Sequence, residues 1–187
     1  MKVVAISGST RRQSFNTSLL RTAAEVAPDD VELVLWDGLK ELPHYDEDDD
    51  GTPHAAVDGL RSAIEDADGI LFATPEYNSS IPGSLKNALD WASRPLATNV
   101  FRNKPVAVIG SSQGMFGAVW AQAELRKVLA AMGARVAEVE LPVGRAHEKI
   151  GADGVVHDGE TREQLRDAVG SLVAAAEARD AALAVAA

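Results

Sequence analysis

Gly69-Ile70-Leu71-Phe72-Ala73-Thr74-Pro75-Glu76-Tyr77-Asn78-Ser79-Ser80-Ile81-Pro82-Gly83-Ser84-Leu85-Lys86-Asn87-Ala88-Leu89-Asp90-Trp91 is the stretch whose reading decides the fold. An apolar, strand-like run ends at Thr74, a polar and aromatic loop follows, and a helical pattern begins around Pro82. A strand that passes through such a loop into a helix places the loop at the carboxyl edge of an α/β sheet. Open sheets of that kind bind their ligands at that edge.

Working outward, the same arrangement occurs near the amino terminus. Gly8-Ser9-Thr10-Arg11-Arg12-Gln13-Ser14-Phe15-Asn16 follows the strand-like Val3–Ile6 and precedes a helical stretch with Leu19, Leu20, Ala23 and Ala24. The first N–H groups of a helix are unpaired and carry the positive end of its dipole, so they suit a phosphate. Gly8 frees the turn, Ser9, Thr10, Ser14 and Asn16 offer side-chain donors, and Arg11 offers a charge-assisted bond. Neither G-x-x-x-x-G-K-[ST] nor G-x-G-x-x-G occurs here, which excludes a nucleoside-triphosphate loop and weakens a dinucleotide reading. Taken alone, the segment equally fits a solvated strand-to-helix turn capped by Ser14.

Strand patterns at 2–7, 31–36, 68–74, 104–110 and 134–140 alternate with helical patterns at about 15–27, 54–66, 82–93, 115–132 and 161–180. Such alternation implies a parallel sheet with helices on both faces, and five strands suit the order 2-1-3-4-5 with a ligand at the switch point between the first and third. Both loops leave those two strands. Pro28 should stop the first helix, Gly133 should close the fourth, and Thr161-Arg162-Glu163-Gln164 matches a capping box for the last. The expected organisation is a single domain over residues 1–187, with 181–187 as a frayed tail.

Composition narrows the function classes. The chain is 46% apolar and 25% charged, the balance of an ordinary globular protein. Its formal charge of −10 disfavours nucleic acid and anionic membranes as partners. It has no apolar run long enough for a membrane span and no signal-peptide pattern, and it contains no cysteine, so a cytoplasmic location is expected. No metal site is expected: His44, His54, His147 and His157 lack ligand spacing, and Asp46–Gly51 reads as a solvated acidic turn. Residues 142–160 form a long connection, open to reading as a lid, a subunit contact or a hairpin around Ala152-Asp153-Gly154.

Together the two loops resemble the NADPH-dependent FMN reductase family. The first matches its G-S-x-R-x-x-S-x-N phosphate loop, and the second its P-E-Y-N-x-S-x-P-G-x-L-K-N-x-x-D-W signature. The resemblance extends over about residues 2–180 and includes Leu42–Asp48; Ser79 departs from it, since relatives commonly carry glycine there. It implies a flavodoxin-like three-layer sandwich holding FMN, with NADPH or NADH as co-substrate. By the resemblance, Ser9, Arg11, Ser14 and Asn16 bind the phosphate, Phe15 also belongs to the cofactor site, and Pro75, Glu76, Tyr77 and Asn78 line the isoalloxazine. In a third loop, Gly110–Gly117, Ser111, Ser112 and Gly114 meet the pyrimidine end.

The implied activity is transfer of a hydride from NAD(P)H to FMN and on to a small acceptor such as a flavin, quinone, azo dye or metal oxyanion. One shared pocket makes the kinetics ping-pong. The flavin carries the chemistry, so no side chain is assigned as catalytic, and Glu76 is left open to a helix start or a subunit contact. Charge alone nominates Arg94, Arg102, Arg145 and Lys149 for the 2′-phosphate of NADPH. The competing reading is a flavodoxin-type electron carrier without NAD(P)H turnover. Acidity suits it, whereas Arg11 and the missing T-x-T-G-x-T pattern speak against it. Relatives usually assemble as homodimers or homotetramers, and residues 75–93 and 142–160 are the candidate contacts.

Overall fold

The computed structural model describes residues 1–186. Its sheet contains β1 (Lys2–Ser7), β2 (Glu32–Trp36), β3 (Gly69–Thr74), β4 (Pro105–Ser111), β5 (Arg135–Val136) and β6 (Leu141–Val143). All pairings are parallel, and the order is β2-β1-β3-β4-β5, with β6 also beside β4. The helices are α1 (Phe15–Val26), α2 (Ala55–Glu65), α3 (Gly83–Ala92), α4 (Val119–Ala131), α5 (Ala146–Lys149) and α6 (Gly159–Ala186).

The pleat of the sheet divides the core in two. Val3, Ala5, Leu71, Ala73, Ala107 and Ile109 face one side and pack with Leu19, Leu20 and Ala23 of α1 and Leu165, Val169 and Leu172 of α6. Val4, Ile6, Ile70, Phe72, Val106 and Val108 face the other, against Leu60 and Ile64 of α2, Leu85 and Leu89 of α3, and Leu125 and Leu129 of α4. Because β1, β3 and β4 are covered on both faces, they read as continuous apolar runs. This is the three-layer, flavodoxin-like arrangement the sequence implies.

Local chemistry sets most helix ends. Ser14 accepts the Thr17 N–H at 3.2 Å and caps α1, while Ala27, forced extended by Pro28, ends it. Gly133 sits at φ +86 behind α4, with its N–H on Ala130 O and that of Ala134 on Leu129 O, a Schellman closure.

Three expectations are corrected. The fifth strand is broken in two: Val106 of β4 faces Val136, yet Ile109 faces Leu141, so the outer strand carries extra residues taken up in a tight turn from Ala137 O to Val139 N–H. α6 starts at Gly159, ahead of the Thr161 box: the Asp158 carboxylate accepts the Thr161 N–H at 2.9 Å and its hydroxyl at 2.5 Å. α6 also runs on to Ala186, beyond the point near 180 where a frayed end was expected; Ala187 lies outside the described residues. The 142–160 connection is a strand, a short helix and a hairpin, with an antiparallel bridge between Ile150 and Val156 around the Gly151–Gly154 turn. Asp46–Gly51 is exposed, and no cluster of His, Cys, Asp and Glu that could hold a metal occurs among the described residues.

Candidate active site

Three loops leave the carboxyl ends of β1, β3 and β4, neighbours in the sheet, and close around one cavity of about 210 Å³. From the β1–α1 loop come Ser9, Arg11, Ser14, Phe15 and Asn16. Pro75, Glu76 and Tyr77 follow β3, and Ser111, Ser112 and Gln113 follow the body of β4. Ten of the predicted site residues thus share one cavity. Asn78 and Gly114 stand beside it without lining it, and Gln113 lines it although sequence reasoning singled out only its neighbours.

The β1–α1 loop is a set of open donors. Among the described residues, the N–H groups of Gln13, Ser14, Phe15 and Asn16 reach no protein acceptor. They surround the start of α1, where the helix dipole is positive. The Ser14 hydroxyl accepts from Thr17, which leaves its proton to donate outward. Arg11 folds back on the loop: its Nε donates to Gln13 O at 2.9 Å, and its guanidinium lies 5.1 Å from the Phe15 ring centre.

Asn16 has a second task that the sequence did not disclose. It is buried, and its amide spans from α1 to β4, accepting the Ser111 N–H at 2.9 Å and donating to Ser111 O at 3.2 Å. One amide thereby fixes the phosphate loop against the third loop. The Ser111 hydroxyl beside it is buried and has no protein partner.

The Pro75–Trp91 signature divides into two functions. Tyr77 and Ser80 exchange both backbone hydrogen bonds, and Asn78 and Ser79 between them take φ of 54 and 60, a type I′ turn. That geometry explains the glycine that relatives place at 79: a side chain is strained there. Glu76 is a helix cap, and the helix is α4 rather than its own. α4 begins behind Ala118, which offers no side-chain cap, and the Glu76 carboxylate accepts the N–H groups of Trp120 at 3.1 Å and Ala121 at 3.2 Å. The rest of the signature is a latch. Asn87 Nδ2 and Trp91 Nε1 both donate to Pro43 O, Asn87 Oδ1 accepts the Tyr45 N–H, and the Tyr45 and Trp91 rings meet edge-on at 5.0 Å.

The third loop is locked from below. Met115 O stands 2.2 Å from where a Cβ on Gly144 would sit, and Gly117 at φ +57 comes equally close to Pro142, so only glycines let the 112–117 and 142–146 segments interlock. Ser112 N–H to Val143 O, Arg145 N–H to Gly114 O and Ala146 N–H to Ser112 O complete the lock. Gln113, Gly114 and Met115 keep free N–H groups among the described residues, and Gln113 lines the cavity. Two of the charge-based nominations fall away: Arg94 and Arg102 precede β4 at the opposite edge of the sheet. Lys149 is committed to Asp158 and Thr161.

The open donors at the start of α1 beside this cavity suit a phosphate-bearing ligand. The family model described as NADPH-dependent FMN reductase matches residues 1–148. A 2-hydroxy-1,4-benzoquinone reductase from Burkholderia is 40% identical over 167 residues, which cover 89% of this chain and 91% of that one. An Arabidopsis thaliana NADPH:quinone oxidoreductase is 38% identical over 181 residues, covering 93% and 91%. The solved structure of FerB, a flavoenzyme NAD(P)H:(acceptor) oxidoreductase from Paracoccus denitrificans, superimposes with a TM-score of 0.86 at 37% identity, over 95% of this chain and 98% of that one. The chain is therefore an oxidoreductase and belongs to the NADPH-dependent FMN reductase family, whose members use FMN with NAD(P)H.

Proposed function

We propose that this chain is a quinone-type NAD(P)H reductase that holds FMN in the cavity between the three loops. The observation that carries this reading is the row of unpaired N–H groups from Ser14 to Asn16, whose residues line one cavity together with Gln113 of the third loop, which also keeps a free N–H group. FMN, when bound, takes a hydride from NAD(P)H and passes its electrons to the acceptor. The protein's part is to hold and to tune. The Ser14–Asn16 N–H groups, with the hydroxyls of Ser9 and Ser14 and the Arg11 guanidinium, would bind the phosphate dianion. Phe15, Pro75, Glu76 and Tyr77 would line the ring system, chiefly with backbone and apolar surface, with Asn78 beside them. Ser111 and Ser112, together with the N–H groups at Gln113 and Gly114, face the pyrimidine edge, where fixed donors stabilise negative charge.

One cavity with one open side serves donor and acceptor in turn, which makes the kinetics ping-pong. The quinone-reducing names of the relatives favour a quinone as acceptor. Flavins, azo dyes and metal oxyanions fall within the same chemistry. A second copy of the chain completes the reading: Tyr77, Met115, Phe116 and Trp120 stand 56, 67, 57 and 49% exposed at the cavity's rim, an apolar edge that suits burial in a homodimer or homotetramer.

The test is an anaerobic absorption spectrum of the protein loaded with FMN and mixed with NADPH or NADH. Rapid loss of the oxidised-flavin bands is expected, followed by their return on adding a quinone. Bound FMN that stays oxidised with both nucleotides would identify an electron carrier instead. No FMN binding would remove the site assignment.

A further inference from the structure

Beside the flavin cavity lies a larger one of about 380 Å³, between α1 and the turn at 150–154. It shares Arg11, Ser14 and Phe15 with the flavin cavity, and it adds Arg12, Arg21 and His147. Its charge follows from helix geometry. Ser14, Ser18, Arg21 and Glu25 follow one another at one-turn intervals along α1 and its cap, so they share a face. Glu25 is taken by Arg162 at 3.2 Å from the far side. Among the described residues, Arg12 and Arg21 then have no ion pair at all.

The carboxylate lining the cavity, Asp153, is turned onto its own hairpin, where it accepts the Val155 N–H at 3.0 Å and meets His157 Nε2 at 3.0 Å. Glu148, beside His147, stands 3.8 Å from its Nε2. The cavity thus gathers three guanidinium groups in a chain whose net charge is −10. Asp37 and Glu41 line a neighbouring hollow with the same three arginines but form no ion pair with them among the described residues, so these cations stay open to an external anion. The walls are apolar where Phe15 and Ile150 line them, and the volume exceeds that of a lone phosphate.

We propose that this cavity is a subsite for a phosphomonoester dianion, held by Arg12, Arg21 and His147, which one of the two substrates brings in. The carrier is NADPH through its 2′-phosphate, or a flavin nucleotide acceptor through its 5′-phosphate. Guanidinium groups match a phosphomonoester with paired N–H donors, which neutral ribose does not reward. The place of the subsite in the reaction rests on FMN occupying the neighbouring cavity. Its existence does not, because it can be probed without redox chemistry.

The experiment compares the FMN-loaded wild type with the Arg12→Gln/Arg21→Gln double variant. Calorimetric titration with adenosine 2′-monophosphate and with adenosine reads the subsite directly. The wild type should bind the monophosphate the more tightly, and the variant should lose roughly tenfold or more of that affinity while adenosine binding is unchanged. Two kinetic arms identify the carrier. A KM increase of that size for NADPH but not NADH assigns the nucleotide, and an increase for FMN but not riboflavin as acceptor assigns the flavin. Equal binding of adenosine and its 2′-monophosphate to the wild type, with no KM moved in the variant, overturns the proposal. So does a parallel loss of affinity for the resident FMN, measured by fluorescence, since the cavity would then be part of the flavin phosphate site. Failure of NADPH and NADH to reduce bound FMN would instead count against the reductase reading and leave the calorimetric result standing.

Discussion

Asn16 shows how one side chain acts on a site without being its most exposed donor. Its amide satisfies both backbone groups of Ser111 and so sets the distance between the phosphate loop and the β4–α4 loop. Truncation to alanine strands a buried N–H and a buried carbonyl, a penalty of about 1–3 kcal/mol for such groups. Asn16→Ala should lower stability by about 2 kcal/mol, or a Tm fall of some 4–8 °C for a chain of this size. It should also weaken FMN binding roughly tenfold as the two loops lose their common anchor. Thermal melts with FMN fluorescence titration check both, and a variant with native melting and native affinity refutes the strut. The sequence marks Asn16 as a donor at a helix start, and nothing local says that its partner lies on a strand nearly a hundred residues away. Ser79 is legible in the opposite sense: its departure from glycine stands out in the motif, and the I′ turn supplies the reason.

At the scale of elements, the strands and helices that carry long apolar patterns fall within a few residues of where the sequence puts them, while their ends depend on partners. α6 is the instructive case. Asp158 and Thr161 are both good caps, and propensity does not choose between them. Burial does: Thr161 is fully enclosed, and its N–H and hydroxyl both go to Asp158, whose other neighbour is Lys149 at 3.7 Å. The Thr161 hydroxyl, and then its N–H, hold the Asp158 carboxyl below the ordinary aspartate value of 3.8. A carboxylate with a depressed pKa stabilises the fold at pH values above its unfolded pKa, and that contribution vanishes as pH falls through the folded one. Asp158→Ala should therefore cost about 1 kcal/mol at neutral pH. Its melting curve should converge with that of the wild type in acid below the ordinary aspartate range. An equal gap at neutral and at strongly acidic pH would show that the effect is not the ionised cap. The sequence leaves Glu76 open to a helix start, but which helix it caps escapes reading for a related cause. A cap that reaches across from another loop leaves no spacing pattern, so only the assembled fold reveals α4 as its target.

For the whole molecule, the alternation of apolar runs is enough to state the sheet order, since covered strands and crossing helices leave few other topologies. What surrounds the sheet is less legible, because it depends on how loops from distant segments meet. The arginine-lined cavity is an example: its walls come from α1 and from the 147–154 hairpin, and charge counting alone nominated Arg94 and Arg102 at the wrong edge. Assembly belongs to this scale too. Phe116 and Trp120 stack edge-on at 5.0 Å while remaining exposed, beside Tyr77 and Met115. The wild type should sediment as a dimer or tetramer at micromolar concentrations, and Phe116→Asp/Trp120→Asp as a monomer. A wild type that is itself monomeric there removes that patch as a self-contact.

The broken outer strand has a consequence of another kind. A sheet's last strand is a row of unused donors and acceptors on which a foreign chain can extend the ladder, the first step toward aggregates. Here the inserted turn at 137–139 divides that border into segments of two and three residues, offset from each other along β4. Neither segment is long enough to template an incoming strand in register, and the bend between them forbids using both at once. The same irregularity that spoils the fifth strand as a regular element therefore keeps the sheet from growing at this border, and leaves β2 as its one unbroken edge among the described residues.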